Sequence, residues 1–86
     1  MILDRLKAID LLDRGVFHSA VVTPASALYD SWILLLVSSS GERKALTRAR
    51  KSGSKIYKSA DAALADARAL GFKIINVEFD TNKDAA

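Results

Sequence analysis

The residues best equipped for chemistry are cationic and lie close together. Between Glu42 and Lys58 stand Arg43, Lys44, Arg48, Arg50, Lys51, Lys55 and Lys58 against the single carboxylate of Glu42, a local net charge of +6. The whole chain carries +3, so everything outside this run sums to −3. One-signed clustering of this kind marks a face that meets an anionic partner, with nucleic acid the commonest candidate. If 43–50 is extended, Lys44, Leu46, Arg48 and Arg50 fall on one face and Arg43, Ala45, Thr47 and Ala49 on the other. Arg48 and Arg50, with Lys51 and Lys55 in the adjoining turn, would then reach successive phosphates, and a two-stranded ribbon is of a size that enters a DNA major groove. The alternative is that these charges solvate an edge strand and keep it from pairing with other chains.

Other chemistry has less to work with. His18 is the one histidine and there is no cysteine, so a general base would stand without the converging titratable groups that a catalytic pocket needs. Ser38, Ser39 and Ser40 precede Gly41 and read as turn residues rather than nucleophiles. Gly15, Gly41, Gly53 and Gly71 are too dispersed for a phosphate loop, and the isolated Asp residues lack metal-ligand spacing. The residues therefore predict a non-enzymatic protein with no cofactor and no metal. Trp32, Phe72 and Phe79 have apolar neighbours and read as core, which leaves Tyr29 and Tyr57 as surface rings for stacking on single strands.

These side chains need a scaffold, and the hydrophobic pattern supplies one. Ile2, Leu6, Ile9 and Leu12 recur at helical spacing up to a capping Gly15. Val16 to Thr23 is β-branched and stops at Pro24, and Trp32 to Val37 is a continuous apolar run of strand length, fit for a central strand or a subunit contact. Two turn signals, at 38–41 and 51–54, delimit strands at Arg43–Arg50 and Lys55–Lys58, so the basic run is expected on a β-meander. Ser59 and Asp61 open a second helix whose face is Ala60, Ala63, Leu64, Ala67 and Leu70, and Gly71 closes it with Phe72 folding back. Ile75, Val77 and Phe79 then alternate with polar residues as a last strand. The expected fold is α+β: a small antiparallel β-sheet of four to five strands with two helices packed on one face. Residues 1–80 form the single domain and 81–86 a disordered tail.

At 86 residues there is room for one core and no second domain, and such a core is stabilised by dimerisation, so a homodimer or another protein partner is expected. The absence of cysteine fits a cytoplasmic protein. Asp4, Asp10 and Asp13 interrupt any signal-peptide core, and Trp32 to Val37 is too short to span a bilayer, so no membrane association is expected.

Two resemblances add to this reading. The stretch 32–70, WILLLVSSSGERKALTRARKSGSKIYKSADAALADARAL, resembles in layout the arm-type DNA-binding domains of tyrosine recombinases, with strand, turn, basic strand, turn, short strand and helix in that order. Those domains usually read T-F-x-T and then Glu-Ala at the helix start, where this chain has Ile56-Tyr57-Lys58-Ser59 and Ala62-Ala63. Residues 51–72, KSGSKIYKSADAALADARALGF, are similar to small plasmid-borne partition-accessory proteins, in which a basic turn precedes an aromatic-Lys-Ser-x-Asp-Ala-Ala helix ending in Leu-Gly-Phe. That resemblance implies a role in plasmid maintenance or transfer and identifies no catalytic residue. The expected function is thus that of a DNA-associated accessory protein contacting phosphate through Arg43, Lys44, Arg48, Arg50, Lys51 and Lys55. The alternative is a dimerisation or adaptor module with no nucleic-acid role.

Overall fold

A computed structural model describes residues 3–26, 28, 30–48 and 53–79. Expectations that fall on Ile2, Tyr29, Ala49, Arg50, Lys51 and the 81–86 tail lie outside the described residues.

The chain opens with Asp4, whose carboxylate accepts from the Lys7 amide at 3.1 Å and starts helix α1, Arg5–Asp13. The Val16 amide donates back to the Leu11 carbonyl across Gly15, which ends the helix with the paired bonds of a left-handed cap. Strands β1 (Phe17–Pro24) and β2 (Trp32–Ser38) follow as an antiparallel pair, and β3 (Arg43–Ala45) adds to the far side of β2. Helix α2, Ala60–Leu70, starts at Ser59, whose hydroxyl accepts from the Ala62 amide, and ends at Gly71 with φ +113°. Strand β4, Ile75–Val77, completes a four-stranded sheet in the order β3-β2-β1-β4.

The α+β class, the four strands and the helix pair agree with expectation, but the sheet is mixed. β4 runs parallel to β1, where an antiparallel strand was expected. The path of the chain dictates this. Tyr57 bridges Trp32, which lies opposite Pro24, so α2 sets out from the end of the sheet where β1 finishes. One pass of α2 returns the chain to the end where β1 starts, and the free edge of β1 can then be joined only in the parallel sense.

Both helices pack on one face. Ala8 of α1 and Ala63, Ala67 and Leu70 of α2 share a core with Phe17, Ala20, Val22, Trp32, Leu34 and Leu36. Phe17 and Ala20 both reach that face because a bulge at His18 inserts a residue between Phe17, opposite Ser38, and Ser19, opposite Val37. The predicted stripe of α1 is corrected: Leu6 is 78 % exposed and Ile9 is exposed, while Leu3, Ala8, Leu11 and Leu12 make the contact. Periodicity alone could not choose between two apolar stripes on so short a helix. The alanine face of α2 behaves as predicted.

The opposite face carries Val21, Ile33, Leu35, Val37 and Ala45, and no helix packs there among the described residues. Arg43 of β3 reaches Glu78, beyond β4, with two hydrogen bonds of 2.9 and 3.0 Å. Register puts both side chains on this face, so the ion pair ties one sheet edge to the other over the central strands. The right-handed twist of the sheet lets diagonal corners approach in this way.

Gly71 offers a direct check on the fold. Its φ of +113° strains any L residue, and an added Cβ would sit 3.3 Å from Leu12 Cδ2. Gly71→Ala should therefore cost about 1–2 kcal/mol, read by denaturant titration with the fluorescence of Trp32, the only tryptophan, as the probe. An unchanged midpoint would contradict the cap geometry.

Candidate functional site

The basic run does not form the long ribbon that alternation implied. Regular pairing to β2 stops at Ala45: the Leu46 amide still donates to Leu34, but the Leu46 carbonyl accepts from Lys55 rather than from β2, and both Leu46 and Thr47 are buried. Leu46 enters the core, and Thr47 is held by Leu3, whose carbonyl accepts the Thr47 amide at 2.8 Å and whose amide donates to Thr47 Oγ1 at 2.9 Å. The chain then makes an excursion from the sheet edge. It is closed at its base by the Thr47–Ser54 bridge and rejoins β2 at Tyr57. The expected strand at Lys55–Lys58 is reduced to that single Tyr57–Trp32 bridge.

Of the six residues expected to contact phosphate, the four that are described are dispersed. Arg43 lies on the helix-free face, held by Glu78. Lys44 occupies the other face of β3, opposite Leu36, with its ammonium 4.0 Å from Glu42. Arg48 is exposed at the base of the excursion, where its amide donates to the Gly53 carbonyl at 3.1 Å. Its guanidinium lies against Gly53, and a Cβ there would come within 3.0 Å of Nη2, so the bare glycine makes room for it. Lys55 is drawn 3.4 Å from Asp66. Arg50 and Lys51 lie outside the described residues.

Asp66, which composition and motif reading passed over, is the hub of this edge. Its carboxylate accepts hydrogen bonds from Arg5 Nη1, Tyr57 Oη and Lys55 Nζ, joining α1, the end of the excursion and α2. Lys55 also stands 5.3 Å from the Tyr57 ring centroid. Burial pushes Asp66 up, but the hydrogen bonds from Tyr57 and Arg5 and the charges of Lys55 and Arg5 outweigh it and hold the carboxyl below its usual range. Burial, then the bond to Asp66 and its negative charge, push the Tyr57 hydroxyl well above the usual tyrosine range. Tyr57 is only 7 % exposed, so it is a core residue rather than a stacking platform. Phe79 is the reverse: expected in the core, it is 61 % exposed, with its ring edge-on to Trp32 at 6.0 Å. The sequence signal for Asp66 was its place beside Ala63, Ala67 and Leu70 on the buried side of α2.

His18, on the bulge, lines a cleft of about 600 Å³ between the C-terminal ends of the two helices, with Ile9, Leu12, Asp13, Leu70, Lys73 and Ile74. Among the described residues His18 makes no side-chain hydrogen bond that would orient it as a base. No three His, Asp or Glu side chains gather to hold a metal among those residues, and no helix there is long and apolar enough to cross a membrane. Comparison of the chain with protein-family models, with curated proteins and with solved structures finds no match.

Proposed function

We propose that the chain is a non-enzymatic, cytoplasmic DNA-associated accessory protein that meets phosphate along the sheet edge formed by β3 and the excursion after it. The observation behind this reading is a surplus of cations on that edge after internal pairing. Arg43, Lys44, Arg48 and Lys55 are described there, with the exposed Lys58 next after Tyr57 in sequence, and Glu42, Asp66 and Glu78 balance three of the four. Arg48 is exposed at the base of the excursion, with its guanidinium against Gly53, and Arg50 and Lys51 follow it in sequence. The similarity of residues 51–72 to partition-accessory proteins makes plasmid maintenance or transfer the process to examine.

Affinity for duplex DNA should rise at low salt, with log K falling against log salt by about 0.9 per phosphate contact. Lys44→Ala and Arg48→Ala should each lower that slope by about one contact. Arg43→Ala should change it less, because Glu78 already holds that guanidinium. Arg14→Ala, on the C-terminal end of α1 and paired with Asp10, is the control and should leave it unchanged. Equal effects from all four substitutions would show that any binding follows net charge alone.

A second reading, a protein-interaction module, is favoured by the half-buried Ile33, Leu35 and Val37 on the helix-free face. It is separated from the first by the same titration, which it expects to show no DNA binding at low salt.

A further inference from the structure

The two edges of the sheet are guarded unequally. On β3 the Glu42 carbonyl accepts from Ser38 and the Leu46 amide donates to Leu34, so Arg43 and Ala45 aim their N–H and C=O groups outward. That edge carries Arg43 and Lys44, and the chain beyond leaves the sheet, two devices that discourage strand pairing. On β4 the Ile74 carbonyl accepts from Ala20 and the Glu78 amide donates to Val22, so Ile75 and Val77 present the outward groups. No charged side chain stands between Ile74 and Val77, and Ile74 is 56 % exposed. Among the described elements β4 packs only on β1 and α2, which leaves its outer edge uncovered by either helix or strand.

We infer that β4 pairs antiparallel with β4 of a second copy about a two-fold axis at Asn76. The strand's own order selects this occupant and direction. It runs from Lys73 at one end to Glu78 at the other. Antiparallel pairing about Asn76 sets Lys73 opposite Phe79 and Glu78 opposite Ile74 of the other strand, so no like charges meet, whereas parallel pairing would place Lys73 beside Lys73 and Glu78 beside Glu78. Centring the pair on Asn76 lets Ile75 of each copy exchange hydrogen bonds with Val77 of the other, which satisfies the outward groups of both strands. Asn76 then faces its own copy at a non-hydrogen-bonded position, where Cα atoms approach to about 4.5 Å. Asn76 is exposed, and its amide both donates and accepts, so the pair is self-complementary. The result is one sheet continuous through both copies with the charged β3 edges outermost. This interface does not depend on any nucleic-acid role.

The test is sedimentation of the full chain with Asn76→Lys and Asn76→Glu. The wild-type protein should sediment as a dimer at micromolar concentration. Each variant should associate about tenfold or more weakly, because like charges would face each other across the axis, and an equimolar mixture of the two should restore the dimer. Thermal melting at low concentration should show that both variants fold, since the side chain is exposed. As an independent reading, the amides of Ile75 and Val77 in the wild-type protein should exchange with solvent slowly when concentrated and rapidly when dilute. A wild-type monomer throughout, variants that dimerise normally, or concentration-independent exchange at both amides would overturn the interface.

Discussion

Leu34→Ala should destabilise the protein by about 3–4 kcal/mol, whereas Leu6→Ala should change stability by less than about 0.5 kcal/mol. Leu34 is fully buried at the centre of β2, among Val22, Leu36 and the alanine face of α2, so truncation removes transfer energy and leaves a cavity that a short strand cannot close. For a domain of this length that loss is a large part of a total of roughly 5–10 kcal/mol. Leu6 sits on the stripe that helical spacing assigns to the core, yet most of its surface is in water. Equilibrium denaturation of both variants, followed by Trp32 fluorescence, would reveal comparable losses if the sequence-based stripe were the right one.

Asp66→Ala should be the most damaging change to a polar residue, costing about 2–3 kcal/mol. The carboxylate is 16 % exposed and takes three donors from three parts of the chain. Its removal leaves the buried Tyr57 hydroxyl without an acceptor and Arg5 and Lys55 facing each other. Tyr57→Phe should cost less, about 1–2 kcal/mol, and Arg5→Ala less again, because that guanidinium is 46 % exposed. The double change at 57 and 66 should cost less than the sum of the singles, since both break one bond. The pH dependence follows from the direction of the Asp66 shift. A carboxyl held below its unfolded value contributes its stability fully above about pH 4 and loses it as pH falls through the folded value. Asp66→Asn should therefore differ from wild type by a constant amount near neutrality, with the gap narrowing below about pH 4. A gap that widened in acid would show that the carboxylate is not stabilised by its neighbours.

What the sequence reveals and conceals divides along the reach of its signals. α2 is legible end to end because Ser59, Asp61, the alanine stripe, Gly71 and Phe72 are all local instructions, and each acts within one turn of its target. β1 and β2 are legible as β-branched and apolar runs. The parallel sense of β4 is not, since it depends on where α2 begins, and that is fixed by the long-range bridge between Tyr57 and Trp32. The fate of the basic run is concealed for the same reason. Positive charge at 43–58 is plain, but the carboxylates that claim part of it, Asp66 and Glu78, arrive from α2 and from beyond β4. Alternation also carries Lys44 and Arg48 on one continuous strand, whereas the ladder to β2 ends between them, where the Leu46 carbonyl accepts from Lys55.

The proposed contact of β3 and its excursion with DNA is tested most directly by titrating short duplex DNA, at low salt, into isotope-labelled protein and mapping which amides and arginine side chains shift. The account predicts shifts concentrated at Lys44, Arg48, Gly53, Ser54 and Lys55, with β4 and the C-terminal ends of both helices unaffected. Shifts scattered evenly over Lys and Arg residues around the whole surface, or none at all, would contradict it.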